Sequence, residues 1–468
     1  MEHGGLLPPS RWRGRGAPDA PFADAASVPQ DRNVLGRRST LVPVTPPASP
    51  SVRPAPAGEP RAPGTALLLV LLAAMGVGPL FNYGVSMSST VVIDRLGVTS
   101  GQLGTVLTVV FASAAVTSVG LGRAADRLSS RVQMSIIFGG SAAALTVGAV
   151  ASTLGALYAA AVLAGVTQAI SNPTTNRIIR TAVPADRRIG WIGVKQSGVQ
   201  VSQLVAGLFF PAAALALGWT AASLAAAGLA AVLWAAAVAA APPLPGSSGA
   251  RAVAGDAAAR GGVDRAGSTR APLPPTVWFF AAIAFLTGLG MQATNTYLPL
   301  FAVESLGLSL VAGGAAAAAS GVIGVFSRIW WGRRMSVGHR PTTLLAGIAV
   351  GALAGVGVFL AADLAHVPAL LWAGAAVHGL TVLGANVVIN AGLMDAVPAE
   401  HLGRATGVNA MGMYAGFACG PLVMGLLRDG TGDFRLGFAA VGAGYALALV
   451  AVLLLRRHTD RAAAGSTG

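Results

Sequence analysis

The chain has 468 residues, of which 54% are hydrophobic and only 10% are charged, and its mean hydropathy is +0.67. Because a typical soluble domain carries about 25% charged residues, this composition excludes an ordinary soluble protein and indicates a membrane protein. The formal net charge of +14 would suit a nucleic-acid partner, but the placement of the basic residues described below argues against one.

The predicted elements are twelve apolar runs, each near the roughly 20 residues that a helix needs to cross about 30 Å of hydrocarbon. We number them spans one to twelve and predict them at 65–93, 102–121, 132–152, 155–178, 190–215, 219–241, 276–303, 309–330, 342–362, 367–394, 405–427 and 434–455. All should be helices, because lipid offers no partner for an unpaired backbone group. Polar and apolar residues do not alternate along the runs, which excludes an outer-membrane barrel.

The segments between the spans predict the topology. Of the 31 Lys and Arg residues, 28 lie on the side of both chain ends and only Arg95, Arg428 and Arg435 lie on the other side. By the positive-inside rule, both termini should be cytoplasmic. Residues 1–64 hold 13 of the 28 prolines and no apolar core, so they predict a disordered cytoplasmic tail and not a signal peptide.

The two halves of the chain are related by an internal repeat. In a first register, with Gly165 facing Gly379, residues 165–198 match residues 379–412 at 11 of 34 positions without a gap. In a second register, the offset between equivalent residues is slightly shorter, and the residues around span two align with those around span eight. Asp94, Leu96, Gly97 and Gly122 then align with Glu304, Leu306, Gly307 and Gly332. We therefore predict two six-helix bundles, at 65–241 and 276–456, joined by a cytoplasmic linker at 242–275 and followed by a cytoplasmic tail at 457–468.

The loop after span two reads GRAADRLSSR and resembles the cytoplasmic loop motif of the major facilitator superfamily (MFS). Gly122, Asp126, Arg127 and Arg131 stand at or near the motif positions, whereas the second copy, GRRMSVGHR, has Ser336 in place of the acid. The resemblance covers about residues 65–456 and implies the twelve-helix MFS fold, whose halves rock about a midplane site. In that family the loop contacts form a latch for the state closed to the cytoplasm. The alternative is that Arg127 and Arg131 only mark topology.

Polar side chains recur at helical spacing inside several spans. Because polar groups facing lipid are expensive, such stripes should line a cavity, and in the family spans one, four, seven and ten do so. The candidate solute-binding residues are Asn82 in span one, Gln168, Asn172 and Asn176 in span four, Lys195 and Gln200 in span five, Gln292 and Asn295 in span seven, and Asn386 and Asn390 in span ten. The alternative is that these amides only join neighbouring helices.

Lys195, within GWIGVKQSGVQ, is the only lysine of the chain. An ammonium inside a span could attract an anionic solute, pair with a carboxylate or change its protonation state. The alternative is that the side chain snorkels to the cytoplasmic headgroups. The stretch KQSGVQVSQLVAG, residues 195–207, also resembles the fifth span of cyanate-permease-like members of the superfamily.

The residue types that are absent from the spans limit the kinds of solute that we expect the protein to carry. No Asp or Glu lies near the middle of a span, which favours a neutral or anionic solute over a cation. His378 is the candidate for coupling to protons, with a packing role as the alternative, and Arg328 is interpreted as a topological residue. No glycine-rich phosphate loop, metal cluster or hydrolytic arrangement is present, so we expect neither enzymatic activity nor a cofactor.

Span eleven carries Gly412, Gly416 and Gly420 at four-residue spacing, which predicts close helix packing. The corresponding part of span five lacks the glycine-proline motif of drug antiporters in the superfamily. We therefore predict a monomeric secondary transporter of the bacterial inner membrane, symporter or uniporter, that moves a small polar or anionic organic solute by alternating access. A multidrug efflux antiporter and a non-transporting sensor of the same fold are the alternatives.

Overall fold

The computed structural model describes residues 64–125, 128–184, 187–240, 272–398 and 401–465, which are almost entirely helical. In this part of the chain ten helices are long and apolar enough to cross a membrane, and Thr65–Gly76 with Pro79–Met87 forms a further bent span. One of the ten, Gly190–Ala239, has 50 residues and would be about 75 Å long if straight. Gly218 interrupts it with a φ of 80°. The described residues therefore form twelve spans, and the predicted fold class is confirmed.

The helices keep the numbering of the predicted spans. In the first half they are Thr65–Gly76, Pro79–Met87 and Ser89–Leu96 for span one, Ser100–Ala125 for span two, Ser130–Met134, the π-helix Ser135–Gly139 and Gly140–Val150 for span three, Leu154–Ala182 for span four, and Arg188–Gln196 and Gly198–Ala240 for spans five and six. In the second half they are Pro275–Glu304, Leu310–Ser336, Pro341–Leu364, Ala369–Thr381 with the 3₁₀ turn Val382–Gly384 and Ala385–Ala396, Leu402–Thr431, and Arg435–Gly465 for spans seven to twelve.

Span twelve continues to Gly465, beyond its predicted end at 455. The prediction from hydropathy stops where charged residues begin. A helix continues for as long as its backbone hydrogen bonds are made. Asp460 supports this last part: it pairs with Arg340 of span nine at 3.0 Å and lies 3.9 Å from Arg456 one turn earlier.

The backbone carries the repeat that the sequence predicts. Gly97 and Gly307, which face each other in the second register, end spans one and seven with φ values of 61° and 64°. Gly218 and Gly432, which face each other in the first register, follow spans five and eleven with φ values of 80° and 81°. Because residues with a Cβ rarely adopt positive φ, each pair of equivalent turns requires glycine for the same reason.

The two halves meet along two seams, span two against span eleven and span five against span eight. At the first seam a Cβ on Gly104 would meet the carbonyl oxygen of Pro421 at 2.5 Å. At the second, Gly207 and Gly314 face each other so closely that a Cβ on either would clash with the backbone of the other. The second register relates Gly104 to Gly314, and the first relates Gly207 to Pro421. Equivalent positions therefore make both seams.

One end of the molecule is closed by bonds across the first seam. We call it the distal side, because residues 64 and 465, where the described part of the chain begins and ends, lie on the other, terminal side. The Asp429 carboxylate accepts hydrogen bonds from the Thr99 hydroxyl at 2.6 Å and the Gly101 amide at 3.0 Å. Tyr297 donates to the Ser100 carbonyl at 2.7 Å. An anion at a helix N-terminus is favourable, so Asp429 ties the start of span two to the end of span eleven.

The glycines of span eleven make the close helix contact that their spacing predicts, and the partner is span seven. A Cβ on Gly412, Gly416 or Gly420 would run into the carbonyl oxygen of Ala281, Phe285 or Leu289, respectively. The three carbonyls follow one another at intervals of one turn along span seven, as the three glycines do along span eleven. The two helices are in backbone contact over about two turns, and this contact needs every one of the three positions.

Gly416→Ala should lower the thermal stability of the purified protein, because the new methyl group would overpack a backbone contact at a cost of about 1–3 kcal/mol. Gly407→Ala on the same helix is the matched control. It has open space around the new Cβ and should leave the melting temperature unchanged or raise it, since alanine is the better helix former. A melting temperature for Gly416→Ala equal to that of the control would contradict the packing argument.

Candidate functional site

Span one bends by 52° between Thr65–Gly76 and Pro79–Met87, at Gly78 and Pro79. A Cβ on Gly78 would lie 2.8 Å from the Cγ of Gln168, so this glycine admits a side chain of span four into the bend. Gln168 donates through Nε2 to Oδ1 of Asn82 at 3.1 Å. Two candidate residues from different spans are thereby joined directly, and Asn82 is buried.

Lys195 is fully buried, with no exposed surface. Its Nζ donates to the Thr175 hydroxyl at 2.8 Å and to Oδ1 of Asn172 at 3.2 Å. Gln196 donates to the same Asn172 oxygen at 3.1 Å. The ammonium therefore does not snorkel to the surface, and its partners are neutral. Asn172, which is half-buried, lies between the charge and the more open part of the polar stripe.

The described carboxylates all lie at span ends or in loops, and none of them pairs with Lys195. Glu304 pairs with Arg428 at 2.9 Å, and Asp363 pairs with Arg435 at 2.5 Å, both on the distal side. The remaining described acids are Asp94, Asp395, Asp429, Asp433 and Asp460. Among the described residues, Lys195 has no anionic partner inside the bundle.

Spans seven and ten meet through His378 and Asn295, whose Nε2 and Oδ1 atoms are 3.0 Å apart in the buried interior. The Nδ2 of Asn295 and the hydroxyl of Thr296 are buried without a hydrogen-bond partner. Gln292 is also buried, one turn earlier on span seven. The amide of Asn295 and the hydroxyl of Thr296 are therefore free to bind another polar group close to the His378 imidazole. Such an arrangement could bind a polar solute or relay a proton.

Span ten places Asn386 and Asn390 toward the terminal side. Asn390 donates to the Asn386 carbonyl at 2.8 Å and accepts from Asn409 of span eleven at 3.2 Å. Asn390 and its equivalent Asn176 are both exposed, whereas Asn386 and Asn172 are half-buried. The two matching stripes become open toward the terminal side, opposite the closed distal end.

Gln200 lies in the seam between spans five and eight. It is buried, its Oε1 has no hydrogen-bond partner, and its Cγ lies 3.3 Å from where a Cβ on Gly324 would stand. One turn on, Gln203 donates to the Ala317 carbonyl at 3.0 Å and joins the two halves. Both glutamines keep an Oε1 acceptor that has no partner among the described residues, and Gln203 in addition joins the two halves through its Nε2.

Arg328 is the interior residue whose importance the sequence does not reveal. Its Nε donates to the Leu383 carbonyl at 3.0 Å and its Nη1 to the Gln196 carbonyl at 2.9 Å. Arg328 lies about two turns inside span eight, a depth at which an arginine is usually interpreted as topological. The helix breaks that supply the two carbonyls carry little sequence signal beyond Ser197 and Gly384.

Several predicted residues lie elsewhere. Asp126 and Arg127 of the loop motif are outside the described residues, Gly122 is near the end of span two, and Arg131 is exposed at the start of span three, so the latch remains a prediction. A cavity of about 280 Å³ opens at the terminal ends of spans seven, nine, ten and twelve. It is separate from the polar stripes, and the Arg340 guanidinium in its wall is already paired with Asp460.

Twelve apolar spans in two halves of related sequence, with polar side chains inside several spans, are typical of a multi-pass membrane transporter. The sequence profile described as Major Facilitator Superfamily matches residues 66–362 and 334–468. The chain belongs to this superfamily, which makes it a transporter and not an enzyme.

Solved structures share the fold at low sequence identity. The crystal structure of a bacterial homologue of the human lysosomal transporter Spinster, in an inward-facing and occupied conformation, aligns with a TM-score of 0.68 at 15% identity, covering 84% of this chain and 97% of that one. The nucleoside transporter NupG aligns with a TM-score of 0.63 at 15% identity, covering 83% and 98%. At such identities the likeness concerns the fold alone.

Among curated proteins, the multi-drug resistance efflux pump PmrA from two strains of Streptococcus pneumoniae is 31% identical over 173 residues. The match covers 36% of this chain and 41% of the length of those relatives. It is therefore a partial similarity, and it leaves the solute of this chain open.

Asp429→Ala should loosen the distal closure, because it removes the acceptor for Thr99 and Gly101. In a Cys419→Ser background, which removes the single native cysteine, Ser100→Cys would report opening by its rate of labelling with a membrane-impermeant maleimide. We expect a rise of about tenfold, the factor that corresponds to roughly 1.4 kcal/mol, which is near the value of one hydrogen bond to a charged group.

Asp433→Ala is the control for this measurement. The Asp433 carboxylate accepts from the Arg435 amide within its own loop and makes no bond across the seam. Labelling of Ser100→Cys should be the same with and without this substitution. Equal labelling rates for Asp429→Ala and its parent would show that Asp429 does not hold the distal side closed.

Proposed function

We propose that the protein is a secondary active transporter of a small polar, preferably anionic, organic solute in the bacterial inner membrane. The observation that carries the proposal is the buried Lys195, which has only neutral partners among the described residues. A charge in a low-dielectric interior is costly unless it is compensated. An anionic solute bound nearby would supply the compensation that no described carboxylate provides.

The arrangement of the polar groups supports alternating access in this proposal. The terminal side, where the basic loops lie, is the cytoplasmic side by the positive-inside rule, so both termini are cytoplasmic. The distal bonds of Asp429 and Tyr297 then close the outer face, while Asn176 and Asn390 are exposed toward the cytoplasm. Rocking of the two bundles about their glycine seams would exchange these states, and one chain supplies both halves of the site, so a monomer suffices.

His378 is the proposed coupling group. Its imidazole is buried and hydrogen-bonded to Asn295 of span seven, and spans seven and ten both line the proposed solute path. A proton taken up by this imidazole would remove its acceptor nitrogen and add a charge, so it would alter the bond between the two spans. Energy would then come from an ion gradient.

Lys195→Gln should reduce transport of organic anions into reconstituted vesicles by about tenfold or more, the factor that roughly 1.4 kcal/mol represents, because the buried charge is lost while the side chain still fits. Membrane insertion and the amount of folded protein should not change. Arg180→Gln, an exposed arginine near the end of span four, is the matched control and should transport normally. Unchanged transport kinetics for Lys195→Gln would reject the role of the buried ammonium.

Multidrug efflux is the second candidate function, favoured by the partial similarity to PmrA. Against it stands the absence of a carboxylate in the middle of any described span, since such an acid is the usual counter-charge for a cationic drug. We expect cells that lack their own efflux pumps to extrude ethidium no faster with this protein than with an empty vector. PmrA serves as the positive control, and rapid efflux that depends on this protein would favour the second candidate.

A further inference from the structure

Arg328 holds more hydrogen-bonding capacity than its protein partners use. A guanidinium has five N–H donors, and two of them bind the carbonyls of Leu383 and Gln196. The side chain is half-buried, and three N–H groups have no partner among the described residues. Both partners are uncharged, so the positive charge is solvated by carbonyl dipoles and has no described counter-ion.

The two carbonyls come from interruptions of the helices. Gln196 is the last residue of Arg188–Gln196, before the break at Ser197, and Leu383 lies in the 3₁₀ turn Val382–Gly384 of span ten. Helix ends leave carbonyls without a partner in the helix, and lipid cannot satisfy them. Arg328 therefore stabilises two backbone breaks at once, one in each half of the protein.

A second polar group belongs to a helix that packs near this guanidinium. The phenol of Tyr83, on the bent part of span one, is within electrostatic range of Arg328. Tyr83 is buried, with 5% of its surface exposed. Its hydroxyl makes no hydrogen bond to any described residue. Helix Pro79–Met87 also contacts span eight, so spans one, five, eight and ten converge on the same place.

Lys195 and Arg328 differ in what they can offer a solute. Lys195 has no exposed surface and reaches the polar stripe only through Asn172, whereas Arg328 has free donors and is partly accessible. A guanidinium also binds a carboxylate through two parallel hydrogen bonds, which an ammonium cannot do. The accessible arginine, and not the sealed lysine, has the geometry of a direct ligand.

We infer that Arg328, assisted by the Tyr83 hydroxyl, is the direct ligand for a carboxylate group of the solute, and that Lys195 is a positioning residue that fixes Asn172. The inference rests on the proposed function. Because the Arg328 bond to Gln196 joins the two halves, a bound carboxylate competes with this bond and loosens the seam between spans five and eight. Solute binding and the rocking of the halves are thereby linked at one side chain.

The test uses purified full-length protein and measures its thermal stabilisation by acetate, benzoate, malonate, succinate and citrate, with glucose and choline as neutral and cationic controls. At least one carboxylate should stabilise the wild type. Arg328→Gln should abolish that stabilisation, and Arg328→Lys should weaken the apparent affinity by about tenfold or more, because the charge remains but the paired donors are lost. Tyr83→Phe should weaken it less, and Arg333→Gln, at an exposed position about one turn on, should not change it.

A second measurement needs no variant and remains informative if Arg328→Gln fails to fold. The arginine reagent phenylglyoxal, followed by mass spectrometry, should modify Arg328 more slowly in the presence of the stabilising carboxylate. Modification of Arg333 in the same sample should be unaffected.

The outcomes separate the two proposals. A carboxylate that stabilises Arg328→Gln as strongly as the wild type, or that gives Arg328 no protection, overturns the role of Arg328 and leaves anion transport intact. Vesicles that transport a sugar or a cation, together with no carboxylate effect on the wild type, overturn the proposed anionic solute itself.

Discussion

The requirement that every backbone polar group in a membrane find a partner governs both the fold and the candidate site. Helices satisfy it along most of the chain, and three local exceptions lie at the candidate site: the bend at Gly78, the break at Ser197 and the 3₁₀ turn at Val382–Gly384. Each exception brings a polar side chain to the broken backbone or admits one into the bend. Gln168 enters the first bend, and Arg328 binds a carbonyl at each of the other two. Irregular backbone is therefore found where the structure gathers its polar groups.

The same constraint explains how charge is distributed. Acids at the distal ends are neutralised by arginines or by the start of a helix, as Asp363, Glu304 and Asp429 show. Lys195 and Arg328, in contrast, are held by hydroxyl, amide and carbonyl oxygens. Neutral oxygens stabilise a cation less than a carboxylate would. The described interior thus holds two basic side chains and no acid near the middle of a span, and this is the physical basis for expecting an anion and not a cation there.

Much of this could be predicted from the sequence, because it depends on composition and periodicity. The twelve spans follow from hydropathy, and the equivalence of the halves follows from the matched glycines, whose φ values agree pair by pair. The polar stripes were also predictable, since Asn172 and Asn176 lie one helical turn apart. What sequence could not supply is the burial of Lys195 against Asn172 and Thr175, or the identity of the carbonyls that a helix break leaves free. Arg328 gains its importance from those carbonyls, which belong to spans five and ten and are distant along the chain.

The residues that join the two halves follow the internal repeat, whereas the interior basic residues do not. Positions that make the seams are equivalent in the two halves, with Gly104 and Gly314 as one pair and Gly207 and Pro421 as the other. The cations are not equivalent. The register that relates Gly207 to Pro421 places Asn409 opposite Lys195. The register that relates Gly104 to Gly314 places Ser118 opposite Arg328. Neutral residues stand at both counterparts, so each half contributes one cation from a different span. A symmetric scaffold would allow the halves to rock in either direction with similar contacts, whereas the unequal positions of Lys195 and Arg328 would leave the proposed solute one direct cationic ligand, Arg328, in one half.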